Sequence, residues 1–204
     1  MAFHRFYPAN RHGSNDKIGA APASRLRIEN ASKKMLMMKK VFYFDAPREK
    51  YHCDAAIVWC FDNRFQLGFA KFLKRLGILN SDPIKIAGGA KSLASPDHEA
   101  DREFVLEQIQ KSIGLHGTEL VILMLHSDCG AYGGLAGGFG GNARREAQHH
   151  EEELRRAAEF LRKAIPGISV RAYFVDFEGI WAVELSEPLV TNAANPSGAG
   201  PLTV

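Results

Sequence analysis

The sequence lacks a long hydrophobic segment. Its apolar runs, such as Leu120–Leu125, are far shorter than the roughly 20 residues of a membrane-spanning helix. The continuous apolar stretch of a secretory signal is also missing near the N-terminus, because "MLMM" at 35–38 is short and flanked by lysines. We therefore expect a cytoplasmic protein that has no membrane partner.

Cysteine is scarce as well. The 204 residues include three cysteines, which are Cys53, Cys60 and Cys129. An odd count without a secretory signal argues against a framework of disulfide bonds. It favours metal binding or catalysis instead.

Acidic residues are rare in one part of the chain. Residues 1–40 contain nine Lys or Arg and two acids, hence +7, whereas the rest contains seventeen Lys or Arg and twenty-one acids, hence −4. We interpret 1–40 as a basic arm that is solvated or wraps a partner, since no motif indicates nucleic acid or anionic lipid. Residues 41–185 have the composition of one globular domain, and 186–204 resemble a flexible tail.

The body of the chain alternates between two kinds of segment. Short apolar runs with β-branched residues are typical of buried strands, and longer runs with apolar residues three or four apart are typical of helices. Their alternation predicts an α/β fold, in which helices flank a mainly parallel four-stranded sheet with a possible extra edge strand. The predicted strands are 54–60, 84–89, 119–126 and 169–177, and the predicted helices are 64–77, 95–114 and 143–167.

Glycine is concentrated in one segment, "LHSDCGAYGGLAGGFGGN" at 125–142. It is not a Walker sequence, because no G-K-[ST] follows. Its match to a dinucleotide-binding turn, "GFGGNA" at 138–143, is weak because the preceding strand ends near His126, too far upstream. We therefore interpret the glycines as a flexible connection.

The same segment begins with an H-x-x-C pair, His126 and Cys129, at the end of the third predicted strand. Cys60 ends the first strand, and parallel strands bring their carboxyl ends to one edge of a sheet. Two thiolates and one imidazole suit zinc, and three protein ligands leave a fourth position open for chemistry. The alternative is that these are buried strand-end cysteines and a hydrogen-bonded core histidine. Cys53 lies at the opposite end of the first strand, so we expect it to bind no metal.

Two motifs together resemble the β-class carbonic anhydrases. "CFDNR" at 60–64 has the pattern C-x-D-x-R, and "HSDCG" at 126–130 has the pattern H-x-x-C-G. "KIAGGAKSL" at 85–93 is similar to the family's glycine-containing second-strand segment, and "VRAYFVDFEG" at 170–179 is similar to its late strand. The resemblance covers roughly 54–180. It extends to the short branch of the family, which includes hydrolases of carbonyl sulfide and carbon disulfide.

The resemblance implies roles for particular residues. It implies a set of three zinc ligands, which are Cys60, His126 and Cys129. It also implies that Asp62 and Arg64 form a pair beside the metal, and that the backbone N–H of Gly130 faces the substrate. In part of the family the same aspartate moves onto the zinc in a resting state.

The implied activity is that of a zinc lyase, with 41–185 as its catalytic domain. A hydroxide bound to the zinc would attack CO₂ and give bicarbonate in a reversible hydration. The family also implies a homodimer or a higher homo-oligomer. Two alternatives stay open, namely hydrolysis of carbonyl sulfide or carbon disulfide at the same site, and a zinc-binding homologue without turnover.

Several features depart from the family. The N-terminal glutamine that many members use is absent, because the first glutamine is Gln66. "AGGA" at 87–90 stands where the family often has asparagine after the glycine, and glycine delays the helix that usually follows the H-x-x-C-G motif. We expect 131–142 to be a mobile lid whose apolar side chains line or cover the pocket mouth, namely those of Tyr132, Leu135 and Phe139.

The proton shuttle is unassigned by the sequence. We expect four histidines to lie on the surface, namely His98, His116, His149 and His150. The run "QHHEEE" at 148–153 has the residue types of a metal site, but on a helix it is better interpreted as a solvated face.

Overall fold

The computed structural model describes residues 40–185. Residues 40–48 belong to one unit, where they form no helix or strand and expose their side chains. A second compact unit begins at Glu49 and contains all the helices and strands given below. The basic arm and the C-terminal tail lie outside the described residues, apart from residue 40, so both stay predictions.

The second unit is built around a sheet of five strands. They are β1 (Ala55–Trp59), β2 (Ser81–Lys85), β3 (Leu120–His126), β4 (Ser169–Val175) and β5 (Ile180–Val183). The strand order is β2-β1-β3-β4-β5; β1 to β4 are parallel, and β5 is antiparallel to β4. The predicted α/β fold, with its mainly parallel sheet and extra edge strand, is confirmed.

Helices connect the strands. The α-helices are α1 (Gln66–Arg75), α2 (Lys91–Ala94), α3 (Glu99–His116), α4 (Gly134–Phe139) and α5 (Ala143–Ala164). Short 3₁₀ turns, Asn63–Phe65 and Gly130–Tyr132, follow β1 and β3. Gly117 caps the C-terminal end of helix α3, and its φ of 66° suits glycine. None of the helices within 40–185 is long and apolar enough to cross a membrane.

Strands β1 and β3 are buried because helices cover both faces of the sheet. On one face Val58 belongs to a core that includes Ile109 of α3 and Leu161 of α5. On the other face Trp59 stacks on Phe69 of α1, with the ring centroids 5.0 Å apart. Because β1 and β3 are parallel neighbours, their carboxyl ends lie side by side at one edge of the sheet.

The second strand lies earlier than the sequence predicts. It runs over Ser81–Lys85 instead of 84–89, and Pro83 is tolerated because β2 is an edge strand. The glycines after it turn the chain, with φ of 74° at Gly88 and 53° at Gly89. A Cβ at Gly89 would lie 2.6 Å from the carbonyl oxygen of Met124, so only glycine fits there. The apolar residues of 84–89 predicted a strand there and did not reveal this turn.

The glycine-rich segment is not an irregular connection. It contains the 3₁₀ turn after β3 and the short helix α4, so the expectation of a flexible loop is wrong in its local structure. Phe139 is buried, and Tyr132 packs against the core. Both rings contact His150, with centroids 5.6 Å and 4.5 Å away. These two side chains therefore anchor the segment to α5.

The inner face of α5 holds polar side chains that we expected in solvent. His150 and Glu153 are buried, so the interpretation of 148–153 as a solvated face is wrong for these two residues. Burial lowers the pKa of His150 to about 3, which leaves the imidazole neutral. Glu153 accepts hydrogen bonds from Ser95 and Tyr132 and pairs with Arg156.

Candidate metal centre

Three potential metal ligands converge at the carboxyl edge of the sheet. Cys60 follows β1, His126 ends β3, and Cys129 lies in the turn after it. Their ligand atoms all lie within 4.8 Å of one another, and all three side chains are buried. In the part of the chain that the structure describes, no other trio of His, Cys, Asp or Glu side chains converges like this.

The imidazole of His126 has one nitrogen engaged and one left over. Its Nδ1 lies 2.8 Å from the carbonyl oxygen of Ser127, and Nδ1–H donates to that oxygen in the neutral tautomer. Its Nε2 is buried and has no hydrogen-bond partner within 40–185. A buried nitrogen lone pair without a partner is costly unless a ligand fills the position, and a metal ion would suit it chemically.

The two sulfur atoms have complementary environments. The Cys129 thiol and the backbone N–H groups of Asp62 and Gly88 lower the pKa of Cys60 to about 4. The Cys60 sulfur and burial raise the pKa of Cys129. Two sulfurs that share one proton, next to a free imidazole nitrogen, form a donor set that fits a zinc ion.

Asp62 is held beside these ligands by a forked interaction with Arg64. Arg64 Nε lies 3.0 Å and Nη2 2.7 Å from Asp62 Oδ2, and the backbone N–H of Arg64 donates to Asp62 Oδ1 at 2.9 Å. These bonds hold the pKa of Asp62 at about 2, so its carboxyl is an anion at neutral pH. Asp62 Oδ2 lies 4.0 Å from Nε2 of His126, on the side of the ligand set.

Aromatic rings surround Arg64 at the rim of the site. The guanidinium carbon lies 5.6 Å from the ring centroid of Phe65 and 5.4 Å from that of Phe177. The Phe65 ring also lies 5.0 Å from the ring of His126. Phe177 and Phe61 expose more than half of their surface. The rim therefore combines exposed aromatic rings with the Arg64–Asp62 ion pair.

The geometry agrees with a comparison against protein families. The model of a family described as "Putative carbonic anhydrase" matches residues 50–186, which is more than half of the chain. The match includes both sequence motifs of the site. The chain belongs to this family.

Individual relatives are distant. An uncharacterized protein of Rickettsia conorii is 22% identical over 169 residues, which are 80% of this chain and 91% of that protein. A carbonic anhydrase from Streptococcus mutans, known as a crystal structure, is 20% identical and has a TM-score of 0.46; the match covers 82% of this chain and 100% of that one. The apo form of a carbon disulfide hydrolase is 14% identical, with a TM-score of 0.43 and coverage of 76% and 89%.

The structure adds residues that the sequence did not single out. Asp128 lies between two of the potential ligands and accepts a hydrogen bond from Arg64 Nη1 at 2.8 Å. Glu146 of α5 is buried and accepts the backbone N–H of Asp128 at 2.6 Å. Gln66 donates to the carbonyl oxygen of Asp62 at 2.8 Å. The helical spacing between Glu146 and the apolar Leu154 places both on one face of a helix, and this spacing could have identified Glu146 as buried. It was not used because a glutamate is usually assigned to the surface.

Other predicted residues lie apart from this centre. Cys53 precedes β1 at the opposite edge of the sheet, where its sulfur lies 3.9 Å from Ser112 Oγ. Its predicted lack of a metal role stays a prediction. Gly130 begins the 3₁₀ turn directly after Cys129 and is exposed, so its N–H lies next to the ligand set in sequence, and its substrate role is untested.

Proposed function

We propose that this chain catalyses the reversible hydration of CO₂ to bicarbonate, with a zinc ion bound by Cys60, His126 and Cys129. One observation supports the proposal most directly. A buried set of two sulfurs and an unpartnered imidazole nitrogen lies beside a carboxylate, Asp62, that Arg64 holds in place. Family membership gives the same indication.

Zinc bound in this way would lower the pKa of a water molecule and so supply a nucleophile near neutral pH. Asp62 would orient that water, because an anionic carboxylate only accepts hydrogen bonds and therefore selects a donor. Arg64 would hold both oxygens of Asp62 in one orientation through its planar fork. The N–H of Gly130 would face the substrate.

The apolar rim suits a small substrate without charge. The exposed rings of Phe61 and Phe177 offer no hydrogen-bonding group that would favour a charged molecule over CO₂.

We also propose that the protein is a cytoplasmic homodimer or larger homo-oligomer. Large apolar side chains are exposed on residues 41–44 and, separately, at Phe61 and Trp181. A contiguous run of exposed apolar side chains, such as 41–44, is typical of a surface that another chain covers. Light scattering coupled to size-exclusion chromatography tests this assembly directly.

Stopped-flow measurement of CO₂ hydration tests the proposed reaction, with release of sulfide from carbonyl sulfide and carbon disulfide measured on the same preparation. We expect CO₂ hydration that depends on bound zinc. Sulfide release without CO₂ hydration would replace the substrate. One zinc per chain with neither reaction would identify a binding protein without turnover and would contradict the proposal.

A further inference from the structure

The turn between the potential ligands His126 and Cys129 has an unusual backbone. Asp128 has φ of 53°, and it is the one residue other than glycine with positive φ in the described part of the chain. This left-handed conformation is costly for a residue with a side chain, although aspartate tolerates it better than most. Contacts with the surrounding structure must therefore hold Asp128 in this conformation.

Four polar groups of Asp128 are used at once. Its Oδ2 accepts from Arg64 Nη1 at 2.8 Å, and its carbonyl oxygen accepts from Arg64 Nη2 at 3.0 Å. Its Oδ1 accepts the backbone N–H of Leu135 at 2.9 Å. Its own N–H donates to Glu146 Oε1 at 2.6 Å. Asp128 thus connects the Asp62–Arg64 pair to helices α4 and α5.

Glu146 is the buried end of this chain of contacts. It lies in the first turn of α5 and exposes 1% of its surface. No lysine or arginine pairs with it in residues 40–185, and Nε2 of His150 lies 3.9 Å from Oε1. Burial raises the pKa of Glu146. A carboxyl in this position is costly to bury. The hydrogen bond that it accepts from the backbone N–H of Asp128 offsets part of this cost.

We propose that Glu146 is a positioning residue for the reaction. Glu146 fixes the Asp128 backbone, Asp128 fixes both terminal nitrogens of Arg64, and Arg64 fixes the carboxylate of Asp62. This inference rests on the proposed function for its effect on turnover. The hydrogen bond itself does not depend on the reaction or on a bound metal.

Glu153 provides a matched control on the same helix face. It is also a buried carboxyl of α5, but it bonds to Ser95, Tyr132 and Arg156 and not to the turn that carries Asp128. A general need for a buried carboxyl in α5 would affect both positions alike. A positioning role predicts that Glu146 and Glu153 differ in their effect on turnover.

The experiment compares Glu146→Leu, Glu146→Gln and Glu153→Leu in the full chain. We expect Glu146→Leu to lower kcat for CO₂ hydration about 10–100-fold per bound zinc, with KM little changed, as for partners of this kind near metal sites. Glu146→Gln keeps an oxygen acceptor and is expected to restore most of kcat. Glu153→Leu is expected to change thermal stability and to leave kcat within about twofold.

A second readout does not require turnover. In ¹H–¹⁵N NMR spectra of the metal-free protein, the amide proton of Asp128 is expected far downfield, to remain there in Glu153→Leu, and to move upfield in Glu146→Gln and further in Glu146→Leu. An Asp128 amide that ignores both Glu146 variants would overturn the inference, even if Glu146→Leu folds poorly. Equal losses of kcat in Glu146→Leu and Glu153→Leu would also overturn it. A wild-type chain without CO₂ hydration would contradict the proposed function, and the NMR comparison would still test Glu146.

Discussion

The two ends of strand β1 carry similar side chains in different states. Cys60 follows the strand at one edge of the sheet, and Cys53 precedes it at the other edge. Each cysteine is buried, and each lies near an aspartate whose pKa is about 2. These carboxyls are Asp62 at the Cys60 edge and Asp82 at the Cys53 edge.

At the Cys53 edge the polar atoms satisfy one another. Asp82 accepts from Ser112 at 2.6 Å and from Tyr51 at 2.5 Å, and its Oδ2 lies 2.8 Å from Nδ1 of His116. Although burial raises it, these partners hold the pKa of Asp82 at about 2. Ser112 also bonds to Thr118. This network ties β2 and α3 together, and no group of three His, Cys, Asp or Glu ligand atoms converges there in the described residues.

At the Cys60 edge the same residue types leave atoms unused. Nε2 of His126 and Oγ of Ser127 are buried and have no partner in the described residues. A cysteine, a histidine and an aspartate near one another therefore do not define a metal site. The convergence of unsatisfied ligand atoms is what indicates a possible one.

Replacing each of the two cysteines by serine should test the difference between the two edges most clearly. We expect Cys60→Ser to lose bound zinc and CO₂ hydration, because a hydroxyl is a poor substitute for a thiolate ligand, and Cys53→Ser to keep both. Metal analysis by mass spectrometry measures the difference. Full zinc in Cys60→Ser would refute the ligand set.

The two aspartates should separate turnover from stability. Asp62→Asn is expected to lower kcat about 10–100-fold, because the amide no longer presents an acceptor pair to the site and to Arg64. Asp82→Asn serves as the control and should lower the melting temperature with kcat per zinc unchanged. Stopped-flow kinetics and thermal unfolding of both variants test this, and a larger kcat loss in Asp82→Asn would contradict it.

The fork of Arg64 should matter beyond its charge. Arg64→Lys keeps the positive charge but loses the paired bonds to Asp62, so the pKa of Asp62 should rise from about 2 towards its ordinary value and kcat should fall about tenfold. NMR titration of the Asp62 carboxyl gives the pKa. An unchanged pKa in the lysine variant would show that charge alone suffices.

The smallest expected effect is shared by both edges. A carboxyl whose pKa is lower in the folded chain stabilises it above the unfolded pKa, and that stability is lost as pH falls through the folded value. For Asp82 this places the loss between about pH 4 and about pH 2, and it amounts to at most about 2 kcal/mol. Urea unfolding across this range should show a weaker acid dependence in Asp82→Asn than in the wild type, and identical slopes would contradict the assignment.

The fold and the three converging side chains were accessible from sequence for a physical reason. Central parallel strands are buried on both faces and therefore appear as continuous apolar runs, whose ends locate Cys60 and His126. The turn at Gly88 and Gly89 was missed because close backbone packing leaves no pattern in residue type. Glu146 was missed because its proposed role depends on one hydrogen bond to the backbone of Asp128, which is distant in sequence.

The glycine-rich segment was misjudged for a similar reason. Many glycines favour a loop by local propensity, yet Tyr132 and Phe139 pack on α5 and Asp128 caps the start of the short helix α4. Tertiary contacts therefore decide the local structure. A lid role for this segment stays a prediction that kinetic experiments test.

The most direct test of the central claim combines two measurements on one sample of the full chain. Zinc content and the rate of CO₂ hydration are determined as the metal is removed with a chelator and then restored. We predict one zinc per chain and a rate that falls and recovers in proportion to it. A rate that is independent of zinc content, or fully loaded protein that does not hydrate CO₂, would contradict the account.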